Sequence, residues 1–428
     1  MAMSVIRTKR GMVKPAKETP LTTLDLSVMD RLPVLRCNAR TLHVFRHGPE
    51  ATRVIREALS LALVPYYPLA GRLIESKPRC LQIECSGEGV WYVEASADCT
   101  LHSVNFFDDV QSIPYDDLLP DHIPENEHVD PLVQMQVTKF GCGGFVIGLM
   151  FCHSICDGLG AAQFLNAVGE LARGLNKPTI EPAWHRDFFP PQEAEAEAQP
   201  NLKLLGPPPM PDYQLQHANI DMPMDQIKQL KSSFEQVTGQ TCSAFEIVAA
   251  KFWSSRTRAI DLDPNTQLKL VFFANCRNLL NPPLPKGFYG NCFFPVTITA
   301  SCEFLRDATI IEVVKVIQEA KGELPLEFGK YLKGECVSGG EDPFAPPLTY
   351  TTLFISEWGR LGFNHVDYRW GPPVHVVPIQ GSSIIPVGIV GSLPLPNKGI
   401  RLMTWCVKEE HKLPFLDHMH GAMDQEPL

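Results

Sequence analysis

The chain has 428 residues, 44% of them hydrophobic, with a formal charge of −10 at pH 7 and a mean hydropathy of −0.05. That length exceeds what one hydrophobic core usually supports, so two domains are expected. The acidic balance excludes a general nucleic-acid binder, which needs a basic face. The 13 cysteines show no paired framework. Several (Cys142, Cys152, Cys292, Cys406) sit in apolar contexts, where a reduced thiol acts as a small hydrophobe. Cys152, His153 and Cys156 fall close together, but no second pair at ligand spacing accompanies them, so no metal site is expected. The first residues carry charge without an apolar h-region, no run is apolar enough to span a membrane, and the last four are not a clear peroxisomal address. A cytoplasmic protein is the expectation.

In chain order, 52–64 has amphipathic helical spacing, and Tyr66-Tyr67-Pro68-Leu69-Ala70-Gly71-Arg72-Leu73 breaks that helix with Pro and Gly. Residues 81–85 and 90–93 alternate as strands joined by a Gly-containing turn. The stretches 133–138 and 144–152 predict a hairpin around Gly141-Cys142-Gly143. From Gly158 onward Leu159, Ala162, Phe164, Leu165, Val168 and Leu171 mark a helix. Prolines then crowd the chain (Pro190, Pro191, Pro200 and Pro207-Pro208-Pro209) at a density that sustains neither a ladder nor a helix. The expected boundaries are 1–185 for an N-terminal domain, 186–214 for a Pro-rich linker and 215–428 for a C-terminal domain. Ser243-Ala244-Phe245-Glu246 fits a capping box opening a helix over 247–260. Further strands are expected at 268–274, 293–299, 348–355 and 374–378.

The hexapeptide His153-Ser154-Ile155-Cys156-Asp157-Gly158 follows the apolar 144–152 run, so the histidine should leave the end of a core strand with Asp157 near the first turn of a helix. A base on rigid backbone beside a turn suits proton abstraction, which needs hydrogen-bond reach first. The same residues also fit a structural histidine and a plain Asp N-cap. Both readings stay open on local chemistry. There is no Gly-X-Gly-X-X-Gly after a strand, no P-loop and no Gly-X-Ser-X-Gly elbow, so nothing supports a dinucleotide dehydrogenase, a nucleotide kinase or an ordinary serine hydrolase.

The hexapeptide resembles the HxxxDG motif of the plant BAHD acyl-CoA-dependent acyltransferases. Asp367-Tyr368-Arg369-Trp370-Gly371 resembles their DFGWG motif, at the downstream position where that family carries it. The segment from Tyr66 to Arg72, Tyr289-Gly290-Asn291 and Cys276-Arg277 add to the likeness, which extends to about Lys412. The wider sequence is most similar to the branch of grass p-coumaroyl-CoA:monolignol transferases, taxane acyltransferases and benzyl alcohol benzoyltransferases.

The resemblance implies an α/β fold of two similarly built mixed-sheet domains, chloramphenicol-acetyltransferase-like, with a solvent channel between them. It implies His153 as general base, Asp157 paired with Arg277 to hold the turn that ends in Gly158, Asp367 and Gly371 shaping a junction loop, and Trp370 near enough to donate its indole N–H to an oxyanion. Arg369 departs from the family's glycine, where φ > 0 would strain a long side chain. For Trp370 a purely packing role is the competing reading. Acyl-CoA is the implied co-substrate, with no permanently bound cofactor and no metal. Ser243, Lys251, Tyr289, Gly290 and Asn291 are candidate CoA or channel contacts, each with a structural alternative. Arg256 and Arg258 face either the cofactor phosphates or solvent. The acceptor is a small alcohol or amine, and nucleic acid and membrane are not expected partners. A monomer is expected. Because no protein nucleophile is required, direct attack in a ternary complex is the expected path, with an acyl-Cys152 or acyl-Cys156 intermediate as the competitor. A catalytically silent relative and a thioesterase are the remaining alternatives.

Overall fold

The computed structural model describes residues 3–77, 80–123, 130–188, 213–335, 342–379 and 384–421. Most of the expected linker, 189–212, lies outside the described residues. The first half runs β1 (Val5–Val13), β2 (Thr23–Asp25), β3 (Asn38–Phe45), α1 (Ala51–Ala62), β4 (Arg72–Lys77), β5 (Cys80–Glu84), β6 (Val90–Ala97), α2 (Tyr115–Leu118), β7 (Val133–Lys139), β8 (Phe145–Cys152) and α3 (Gly158–Ala172). The second runs β9 (Gln216–Pro223), α4 (Met224–Thr238), α5 (Ala244–Ala259), β10 (Gln267–Asn275), β11 (Phe293–Ser301), α6 (Cys302–Asp307), α7 (Ile310–Leu332), β12 (Thr352–Glu357), β13 (His375–Ile379), β14 (Val387–Ser392), β15 (Gly399–Val407) and α8 (Glu409–His420).

Two six-stranded mixed sheets organise the molecule, in the orders β1-β6-β7-β8-β3-β13 and β11-β10-β12-β14-β15-β9. This is the expected α/β architecture of two mixed sheets flanked by helices. Each sheet buries one face under helices. In the first, Val54, Ile55, Ala58 and Leu59 of α1 and Phe164, Leu165 and Val168 of α3 pack on Phe145, Ile147, Leu149 and Phe151, alternate residues of β8. In the second, α5 and α7 cover Leu268, Leu270, Leu353 and Ile355. The sheets meet through a further cluster in which Leu42, Val44 and Val377 face Ile389 and Met403.

Two local expectations need correction. β5 and β6 follow one another but do not pair: β5 joins β2 and β4 in a small sheet, while β6 lies between β1 and β7. Alternation reveals a strand but not its neighbour. The strand expected over 348–355 begins only at Thr352. β13, from the second half of the chain, pairs with β3 and completes the first sheet.

Candidate active site

β8 is a central strand, paired on both sides, so the residue that follows it leaves from a fixed position. The His153 N–H donates to the Cys37 carbonyl (2.9 Å), one pair beyond the Asn38–Cys152 match. The Ser154 hydroxyl donates to the Leu35 carbonyl (3.0 Å) and the Asn291 side-chain N–H to the His153 carbonyl (2.9 Å). His153 itself is half-buried. Its Nδ1 is buried with no hydrogen-bond partner among the described residues, which leaves Nε2 as the nitrogen for outside chemistry.

Asp157 serves both of the roles weighed for it. It N-caps α3, accepting from the Gly160 N–H (3.0 Å), and pairs with Arg277 (2.8 Å). Its second oxygen accepts weakly from the Cys292 N–H (3.4 Å). Arg277 also donates to the Gly290 carbonyl (2.7 Å), tying the end of β10 and the start of β11 to the head of α3. Burial works to lower the Arg277 pKa, but the charge and hydrogen bond of Asp157 more than offset it, and the net direction is upward. Gly158 packs on Leu361, and a Cβ at Gly160 would collide with the Tyr289 carbonyl, so the helix can start this close to the 289–292 segment only without a side chain there.

The second motif lies elsewhere. Asp367 Oδ1 accepts from the Arg369 and Gly371 N–H groups (2.8 Å each), closing a loop in which those residues have φ of 95° and 91°. The Asp367 carbonyl accepts from Arg173, and its backbone rests against Gly169, both at the far end of α3. Tyr368 is buried against Phe45. Trp370 packs edge-on to Phe145 with centroids 6.0 Å apart. Phe145 opens β8 and His153 follows its end, so roughly 25 Å of strand separates them. The expected oxyanion role of Trp370 is therefore corrected to packing. Arg369 does occupy the left-handed region, yet the Asp367 bracket keeps the loop closed.

The expected CoA contacts fare unequally. Ser243, half-buried as a residue, caps α5 in a complete capping box with Glu246, and its hydroxyl, which accepts from the Glu246 N–H, keeps a proton to donate. Lys251 is 3% exposed, with its amine driven toward neutrality by burial, and cannot meet a phosphate as placed. Arg256 is fully buried on the Cys406 and Tyr350 carbonyls, and Arg258 is held by the Arg306 and Ala308 carbonyls. Tyr289, Gly290 and Asn291 are buried under the histidine turn rather than lining a channel. Burial pushes the Cys152 thiol up to about 11 and Cys156 upward as well, so neither is the thiolate that an acyl-cysteine path needs. Among the described residues no three His, Cys, Asp or Glu side chains gather as metal ligands. Nothing linear marks Asp30 or Arg186, which also lie under the turn: one is an acid next to Arg31 in a short apolar stretch and the other borders the proline-rich stretch.

With this geometry in place, similarity to known proteins is informative. A profile described as the Transferase family matches residues 3–404. Acyl transferase 4 of Oryza sativa subsp. japonica is 42% identical, covering 99% of this chain and 100% of its own. Myricetin 3-O-glucosyl 1,2-rhamnoside 6'-O-caffeoyltransferase AT2 of Crocosmia x crocosmiiflora is 37% identical, covering 98% and 99%. TRI101 of F. sporotrichioides, solved with coenzyme A and T-2, shares the fold at a TM-score of 0.71 with 13% identity, covering 92% of this chain and 97% of its own. The chain belongs to this transferase family, the BAHD acyltransferases that its two motifs resemble. It is an acyltransferase.

Proposed function

We propose that the enzyme takes a hydroxycinnamoyl group, p-coumaroyl foremost, from CoA and passes it to a small alcohol, with His153 as general base. The carrying observation is His153 itself, half-open at the end of a central strand and braced from three sides. Nε2 takes the acceptor's hydroxyl proton as its oxygen attacks the thioester carbonyl. Collapse of the tetrahedral adduct breaks the C–S bond, and the imidazolium returns the proton to a sulfur whose thiol pKa is ~8.5 by analogy with cysteine. The Ser243 hydroxyl, at the N-terminus of α5, is the contact we assign to CoA.

One observation supports an aromatic donor. The Crocosmia relative, by its name, is a caffeoyltransferase. Among the described residues eleven cysteines are free, which fits a reducing compartment, and no helix is long and apolar enough to cross a membrane. We take the enzyme to work there as a cytoplasmic monomer.

The test is a panel of p-coumaroyl-, caffeoyl-, benzoyl- and acetyl-CoA crossed with aromatic alcohols and amines, read by product mass. Ester from p-coumaroyl-CoA at the highest kcat/KM supports the proposal. Preference for benzoyl or acetyl donors, or amide products, overturns the substrate assignment. Thiol release independent of acceptor makes the protein a thioesterase, and no turnover makes it a silent relative.

A further inference from the structure

His153 is not oriented as a triad histidine is. In a triad a carboxylate holds the ring through Nδ1. Here Nδ1 has no partner among the described residues, and Asp157 is directed to Gly160, Cys292 and Arg277. The ring's aim must come from the main chain that carries it.

We propose that a buried Asp30–Arg186–Asn291 group positions His153 by gripping the carbonyls of His153 and Ile155, which makes Asp30 and Arg186 positioning residues of the reaction. This rests on His153 being the base. Asp30 is fully buried, and both its oxygens are occupied. Oδ1 accepts from the Asn291 backbone (3.2 Å) and side-chain (2.8 Å) N–H groups. Oδ2 accepts from the Ser27 N–H (3.1 Å) and hydroxyl (2.8 Å) and faces Arg186 Nε at 2.8 Å. From this hub two arms reach the turn. Asn291 donates to the His153 carbonyl (2.9 Å) and Arg186 to the Ile155 carbonyl (2.6 Å).

The guanidinium is itself fixed. It donates to the Trp184 carbonyl (2.8 Å) and lies over the Trp184 ring at 4.1 Å, with the Tyr289 ring at 5.3 Å. A Cβ at Gly290 would collide with it. Each residue of Tyr289-Gly290-Asn291 thus has a part: an aromatic wall, the room for Arg186, and the bridge from Asp30 to the histidine. Every arm ends on backbone, so the group sets where the turn sits without touching reactants. Asp30 is buried with both oxygens occupied, and its ion pair with Arg186 would be costly to break by moving either partner, which is what a positioning device needs.

The test compares Asn291→Leu, which keeps the branched shape and removes both side-chain N–H donors, with Arg186→Lys, which keeps a positive charge beside Asp30 and loses the fork to Ile155. Each is assayed for kcat and KM with p-coumaroyl-CoA and an aromatic alcohol. The rate of His153 modification by diethyl pyrocarbonate across pH, read at the His153 peptide by mass, needs no substrate. A displacement near 1 Å lowers turnover on the order of 10²-fold, so Asn291→Leu should lose about that in kcat at little-changed KM. Arg186→Lys should lose about tenfold, and both should shift the modification profile. If Asn291→Leu does not fold, Asp30→Asn takes its place. Folded variants with wild-type kcat and a wild-type modification profile would overturn the proposal and reduce the group to scaffolding. A wild-type protein inactive with every donor, whose modification profile still shifts in the variants, would sink the base assignment alone.

Discussion

The two motif loops brace opposite ends of one unit. The 153–158 turn joins the end of β8 to the start of α3, while the 367–371 loop holds the start of β8, through Trp370 on Phe145, and the end of α3, through Gly169 and Arg173. The first places a half-open imidazole over one buried and one partly buried ion pair. The second shows only packing, an Asp bracket and strained backbone. A strand and helix pinned at both ends cannot slide, so the second loop braces the far end of the unit that carries the first. Similar prominence in sequence therefore conceals unlike work.

The sharpest way to break this contrast is to cut at the chemical end. His153→Ala should fold with wild-type stability and lose about 10²–10⁴-fold in kcat, the span attributed to a positioned acid–base group. Retention of most turnover in steady-state assays would erase the distinction between the loops. Asp157→Ala should act on the fold instead. It leaves Arg277 largely buried without its anion, at about 3–5 kcal/mol, and removes a helix cap worth ~1 kcal/mol. Denaturant unfolding should show the loss, with activity declining in step with soluble protein. A stable variant with normal turnover would show that the pair is dispensable.

How much of this was legible in the chain depended on range. The β8–α3 unit, the 141–143 hairpin and the Ser243 capping box depend on neighbours within a few residues, and apolar spacing and cap chemistry expose them. The membership of β13 in the first sheet and the separation of β5 from β6 depend on partners far along the chain, which periodicity does not encode. Asp30 and Arg186 are 156 residues apart, as their positions give, and neither stands in a pattern. Lys251 and Asn291 looked like ligand contacts because polar residues usually face solvent or substrate; here tertiary packing buries both.

Trp370→Phe sharpens the contrast from the structural end. Phe keeps an aromatic edge on Phe145 and removes the indole donor. Losing an oxyanion donor costs about 10²–10³-fold in kcat. With packing alone at stake, kcat should stay within about twofold while stability falls by ~1 kcal/mol. A hundredfold drop in single-turnover rate would bring the indole back to the reaction centre.

The smallest expected effect has the opposite sign. At φ 95°, Arg369 sits where a side chain costs about 1–3 kcal/mol. Glycine relieves that cost but has a more disordered unfolded chain, an offset of about 0.4–1 kcal/mol. The Arg369 side chain is exposed, and its N–H, which Asp367 accepts, survives the change. Arg369→Gly should therefore stabilise the protein by about 1 kcal/mol, seen as a higher unfolding midpoint, with kcat and KM unchanged. A lower midpoint would mean that the arginine side chain supports the loop, and an altered kcat would mean that the distant end of α3 does transmit its geometry to His153.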